Sequence, residues 1–201
     1  MVWVFDIIFA MGNELKPTLW RTARALSNRN RLNLMCLVAN AKGAKGVCEL
    51  ALEAGLPVPI ASIYLRSLNA RGLISVVRSG SYVYYGTGSD RSLPVAIAIQ
   101  GAFRRLFAKK KLPPKWEDLF LPMLKAYSNP RREAMIRILS EHRQITYAEF
   151  LKRSGICETS FLRHLRILTN AGIVVGDSNG LYSVSKPKNS LEAVFLAASN
   201  D

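Results

Sequence analysis

A chain of 201 residues with 49% hydrophobic content is long enough for two small domains, and a net charge of +14 is extreme for a soluble protein of this size. Residues 1–108 carry 13 Lys and Arg against 5 Asp and Glu, and residues 109–201 carry 15 against 9, so the excess belongs to the folded parts and not to a tail. Nucleic acid is therefore the first partner to consider, because phosphate attraction supplies most non-specific affinity.

The first eleven residues, Met1 to Met11, are apolar but include Asp6, lack a basic start and are too short to cross a bilayer. They predict a helix or strand packed on a partner surface, with no signal peptide and no membrane contact. Residues 14–26 predict a first helix, with Leu15, Leu19, Ala23 and Leu26 on one face. Ser27-Asn28 breaks it and can cap a second helix over Arg31–Ala41. Lys42 to Gly46 reads as a loop, Val47 to Ala54 as a short helix ended by Gly55, and Ile60 to Ala70 as a helix framed by Pro57 and Pro59 and stopped by Gly72. Ile74 to Arg78, a Ser79-Gly80-Ser81 turn and Tyr82 to Tyr85 predict a hairpin. Helices, a helix-turn-helix and a hairpin "wing" thus follow one another. Leu93 to Phe107 predicts a longer helix with Val95, Ala98, Ile99, Ala102, Phe103 and Leu106 on a wide apolar face. Lys109-Lys110-Lys111-Leu112-Pro113-Pro114-Lys115 reads as a basic, proline-stiffened linker, either solvated or touching phosphate.

The pattern then repeats. Ala25-Leu26-Ser27-Asn28-Arg29-Asn30-Arg31 matches Ala126-Tyr127-Ser128-Asn129-Pro130-Arg131-Arg132 at an offset of 101. Glu49-Leu50, Gly55-Leu56, Leu65-Arg66 and Gly72-Leu73-Ile74 match Glu149-Phe150, Gly155-Ile156, Leu165-Arg166 and Gly172-Ile173-Val174 at an offset of 100. One single-residue gap near Lys42–Gly46 reconciles the two. Trp116 to Tyr127 supplies the first helix of the second copy and Ser190 to Ala198 its last. In that copy Phe161, Leu165, Leu168 and Gly172 form one helical stripe, with Thr159, Arg163, Arg166 and Asn170 opposite, before a hairpin through Asn179-Gly180. The expected divisions are residues 1–108, a linker at 109–116, and residues 117–201.

These segments resemble the ArsR-type winged helix-turn-helix transcriptional repressors. The resemblance rests on Ala25 through Leu32, Val47-Cys48-Glu49-Leu50-Ala51 and Leu65 through Ile74, and more closely on Ser128-Asn129-Pro130-Arg131-Arg132 and Arg163 through Val174. It covers about residues 19–107 and 117–198. It implies a mainly α fold with small β-hairpin wings (α+β), in which two tandem winged helix-turn-helix domains form a pseudo-dimer. It also implies a cytoplasmic regulator, most simply a repressor, whose partner is double-stranded DNA. The Leu93–Phe107 helix, the N-terminal stretch and the C-terminal helix are candidates for an inter-repeat or homodimer interface.

Such a recognition helix enters the major groove by its N-terminal half. In the second repeat the resemblance assigns DNA contact to Thr159, Ser160, Arg163 and Arg166, with His164 at the edge of the face. Leu162 stands where a small polar residue is expected, and Glu158 either accepts from a cytosine amine or repels phosphate. The first repeat departs further: Val58, Pro59, Ile60 and Ile63 occupy reader positions and leave Ser62, Tyr64 and Arg66. That apolar face suits a partner surface or a degraded reader at least as well as a groove. Arg78 in the first wing suits a phosphate or the minor groove, whereas the second wing carries Asp177 and no base.

Many relatives sense metal through a Cys-x-Cys pair, but the corresponding stretch reads Gly46-Val47-Cys48. Cys36, Cys48, Cys157, His142 and His164 include no spaced ligand pair, so no metal or other cofactor is expected. Cys36 reads as a core residue, and Cys157 opens the recognition helix, where a thiol pKa is lowered. The three cysteines form no disulfide framework and point to a reducing cytoplasm. No glycine-rich cofactor loop, carboxylate pair or nucleophile with its base marks an enzyme. The rival to DNA regulation is a winged-helix module that binds protein, or an architectural nucleic-acid binder with no regulatory ligand. RNA is a third partner that charge alone leaves open.

Overall fold

The computed structural model describes residues 18–88, 94–107 and 115–199. The Met1–Met11 stretch and most of the basic linker lie outside the described residues. The described chain is mainly helical, with ten helices and two small three-stranded antiparallel sheets.

The first half begins with α1 (Leu19–Leu26), which buries Leu19, Thr22, Ala23, Ala25 and Leu26. Of the helix predicted over residues 14–26, residues 14–17 lie outside the described residues. Asn28 caps α2 (Arg29–Asn40) by accepting the Arg31 N–H at 3.1 Å. The cap therefore starts the helix two residues before the expected Arg31. Helix α3 (Val47–Ala54) stops at Gly55, whose φ of +65° only glycine adopts at little cost. Helix α4 (Val58–Asn69) begins two residues ahead of expectation, because Pro57 is its cap and Pro59 fits the first turn, where no N–H is needed. Strands β2 (Ser75–Ser79) and β3 (Tyr82–Gly86) form the expected hairpin, with Ser79 opposite Tyr82 across the Gly80 turn.

Lys42–Gly46 is not wholly loop. Lys45 and Gly46 form β1, which pairs with β3 through Lys45 opposite Tyr85 and Gly46 opposite Tyr84. Two residues carry no alternation to read, and the partner lies about forty positions away. Helix α5 (Pro94–Phe107) closes the half, burying Ala96, Ile99, Ala102 and Phe103. Its buried Gln100 amide donates to the Leu73 carbonyl at 2.9 Å, fastening α5 behind the end of α4.

The second half repeats this order: α6 (Glu117–Tyr127), α7 (Pro130–His142), β4 (Ile145–Thr146), α8 (Tyr147–Ser154), α9 (Glu158–Asn170), β5 (Val174–Gly176), β6 (Leu181–Val184) and α10 (Ser190–Ala198). Asn129 caps α7 as Asn28 caps α2. Gly155, Gly172 and Gly180 take positive φ at the positions of Gly55, Gly72 and Gly80. The two-residue β4 pairs with β6 as β1 pairs with β3. The sheets have matching orders, β1-β3-β2 and β4-β6-β5.

The halves meet through their own counterparts. Helix α1 packs on α6 and α5 packs on α10. Arg29 pairs with Glu117 at 3.6 Å and with Asp118. Ser190 Oγ donates to the Ala102 carbonyl at 3.4 Å. The buried side chains of both halves form one connected apolar cluster. Sequence patterning separated the halves; the core joins them.

Candidate nucleic-acid interface

Helix α9 is set by its buried stripe. Phe161, Leu165 and Leu168 are buried as the spacing predicts, and Phe161 lies edge-on to Phe150 at 5.0 Å and to Tyr147 at 5.5 Å. This cluster fixes the helix against α8, so its opposite face is defined. That face is exposed and carries Thr159, Leu162, Arg163, Arg166 and Asn170, with Ser160 half-buried beside it. Among the described residues neither Arg163 nor Arg166 has a carboxylate partner. Two guanidiniums one helical turn apart thus present unused donors outward. Glu158 is held away from them, because Tyr147 Oη donates to its Oε1 at 2.9 Å.

His164 corrects the expectation. It is 5% exposed and lies inside the fold, not at the edge of the outward face. Its Nδ1 sits 3.4 Å from Arg132 Nη1. Position 164 flanks the stripe between Phe161 and Leu165, and α7 covers that flank. Burial, then the neighbouring Arg132, Arg163 and Arg131 charges, push the imidazole pKa below its ordinary value, so the ring is neutral near pH 7. Arg132 is itself buried and spans elements: its Nε donates to the Ala126 carbonyl at 2.7 Å and its Nη2 to the Lys125 carbonyl at 2.6 Å.

The first repeat has the same device. Arg31 Nε bonds the Ala25 carbonyl and its Nη2 bonds the Arg24 carbonyl at 3.1 Å. Its guanidinium lies over the Tyr64 ring, 5.6 Å from the centroid. Tyr64 corresponds to His164 and is half-buried, with its ring under the Arg31 guanidinium. Of the other expected contacts, Ser62 is half-buried, Arg66 is exposed with its Nε turned back to the Ser62 carbonyl at 3.4 Å, and Arg78 is exposed on β2. Val58, Ile60 and Ile63 are exposed, as is Leu52 at 84% on the adjoining α3.

The hairpins differ in chemistry. The first shows Arg78 and a 71% exposed Tyr82 at its tip, a residue its strand pattern marked only as part of the hairpin. In the second, Asp177 is a turn former: its carboxylate accepts the Asn179 and Leu181 N–H groups, each at 2.9 Å.

Cys36 is buried, and its thiol pKa is pushed up to about 12 chiefly by that burial. Cys157 is exposed at the start of α9, and hydrogen bonding to Ser160 lowers its pKa. Among the described residues no three His, Cys, Asp or Glu side chains gather as a metal-ligand set, and no single helix is long and apolar enough to cross a membrane. Compared with known proteins, the chain matches no family model, no curated protein and no solved structure.

Proposed function

We propose that this chain is a double-stranded DNA-binding transcriptional regulator built as two tandem ArsR-like winged helix-turn-helix units that form an internal pseudo-dimer. The observation that carries the reading is the outward pair Arg163 and Arg166 on α9, with no carboxylate partner among the described residues and backed by a rigid aromatic cluster, in a chain of net charge +14. In this reading α9 enters the major groove and Arg163 or Arg166 grips guanine edges or phosphates. Arg78 and Tyr82 of the first hairpin contact the backbone or minor groove. The meeting of α1 with α6 and of α5 with α10 supports a pseudo-twofold, because each helix touches its counterpart.

Fluorescence anisotropy with labelled duplex tests the reading. Affinity is expected to fall steeply as salt rises. Absence of binding to any duplex at low salt would overturn it.

One observation favours a second reading. Leu52, Val58, Ile60 and Ile63 leave an apolar surface on α3 and α4 where polar readers are expected, as a protein-binding module requires. If that reading holds, duplex binding is weak and insensitive to Arg163 and Arg166.

A further inference from the structure

Four arginines line an open concavity on the first repeat that the DNA reading does not use. Arg21 and Arg24 come from α1, Arg31 from the start of α2, and Arg71 from just beyond α4; Trp20, Ala25 and Ser67 complete its walls. The cavity measures about 360 Å³, within the range of about 300–1,000 Å³ typical of small-ligand sites. No carboxylate lines it, and among the described residues none of the four guanidiniums pairs with one. Glu133, from across the repeat interface, accepts the Trp20 backbone N–H and faces Arg137.

The charges are held and not merely crowded. Arg31 is anchored by the Ala25 and Arg24 carbonyls and by Tyr64 beneath it, and Arg21 lies over the Trp20 ring at 5.0 Å. Arginine stays protonated, so four positive charges, two of them anchored, line one concavity with no carboxylate among the described residues that form its walls. A guanidinium presents paired donors that match phosphoryl oxygens. The Ser67 hydroxyl adds a donor at the wall.

The cavity belongs to one repeat only. The positions equivalent to Trp20, Arg21, Ser67 and Arg71 are Leu121, Pro122, Ile167 and Ala171. Lys125 and Arg132 keep the charge of Arg24 and Arg31, so the second copy lacks two of the four cations, Arg21 and Arg71, and has apolar side chains at Trp20 and Ser67 as well. It also lies away from the expected groove-reading end of α4. Ser67 is nine residues from Val58, about 14 Å along a helix rising about 1.5 Å per residue.

We infer that the cavity bounded by Trp20, Arg21, Arg24, Arg31, Ser67 and Arg71 binds a small molecule carrying a di- or polyphosphate group. The inference stands apart from the DNA reading, because it concerns binding in the absence of DNA. The same phosphoryl chemistry could be supplied by a free small ligand or by a nucleic-acid backbone, and competition separates them.

Calorimetric titration of the full chain with inorganic pyrophosphate is the test. Pyrophosphate is expected to bind more tightly than orthophosphate. Arg21→Gln with Arg71→Gln should weaken it about tenfold or more, while Arg163→Ala with Arg166→Ala should leave it unchanged. Arg71→Gln alone, which leaves the Trp20 stack intact, should give a smaller loss in the same direction, with circular dichroism unchanged. Saturating duplex should not displace pyrophosphate. No binding by the wild-type chain, or equal binding by the Arg21/Arg71 variant, overturns the inference. Displacement by duplex overturns it as well, since the cavity would then be a backbone contact.

Discussion

Arg132 Nη1 lies 3.4 Å from His164 Nδ1, a cation against a neutral ring inside the second repeat. The same arginine holds the last carbonyls of α6, so it joins the helix at the repeat interface to the helix proposed to read DNA. Arg31 and Tyr64 occupy the equivalent places. One arginine thus couples each candidate recognition helix to the first helix of its own repeat, and those two first helices pack on each other across the repeat interface.

Arg132→Gln tests that coupling. It leaves the Ala126 and Lys125 carbonyls without the donors they now have, in a site with little water. The expected loss is about 1–3 kcal/mol in urea unfolding. A change within about 0.5 kcal/mol, the range of an ordinary surface substitution, would show that the buried bonds contribute little.

Acid should act on the same pair. The His164 pKa is lowered in the folded chain, so below its ordinary value of 6.5 the unfolded chain binds the proton first. Stability is therefore fully present above pH 6.5 and falls as pH drops through the lowered folded value. His164→Gln should flatten that part of the stability curve, measured by urea unfolding between pH 5 and about 7.5, where histidine charge changes dominate. An unaltered slope in the variant would assign the pH dependence to other groups.

Phe161→Ala should remove the aromatic support of α9. Phe161 is fully buried and touches Phe150 and Tyr147. A loss of about 3–5 kcal/mol is expected for a buried phenylalanine cut to alanine, read as a lower urea midpoint. A loss under about 1 kcal/mol would mean that the site collapses around the smaller side chain.

Gly155→Ala isolates backbone strain from packing. Nothing lies within 4 Å of a Cβ added there, yet φ is +62°. Alanine should cost about 1–2 kcal/mol and asparagine less, because asparagine tolerates the left-handed region better. Equal stability of the alanine variant would show that the turn relaxes.

Much of this architecture was legible in the residues. The Phe161, Leu165, Leu168 spacing gave the buried side of α9 and hence the exposure of Arg163 and Arg166. Asn28 and Asn129 marked helix starts, and Gly55, Gly72, Gly155 and Gly172 marked their ends. What escaped was decided by distant partners. Strands β1 and β4 exist only because β3 and β6 pair with them. Burial of His164 depends on Arg132, thirty-two positions away. The arginine cavity gathers residues 20–31 with residues 67–71, and no local pattern announces it. Arg78 and Tyr82 were visible as hairpin residues, but the exposure of Tyr82 at the tip followed from the strand register.

The most direct test of the central claim is duplex affinity as a function of salt, for the wild-type chain and for Arg163→Ala with Arg166→Ala, on a site selected from random duplex DNA. The logarithm of the wild-type constant should fall linearly with the logarithm of salt, by about 0.9 per phosphate neutralised. The variant, with its circular dichroism unchanged, should lose its preference for the selected site. A variant that binds that site as tightly as the wild type would contradict the account.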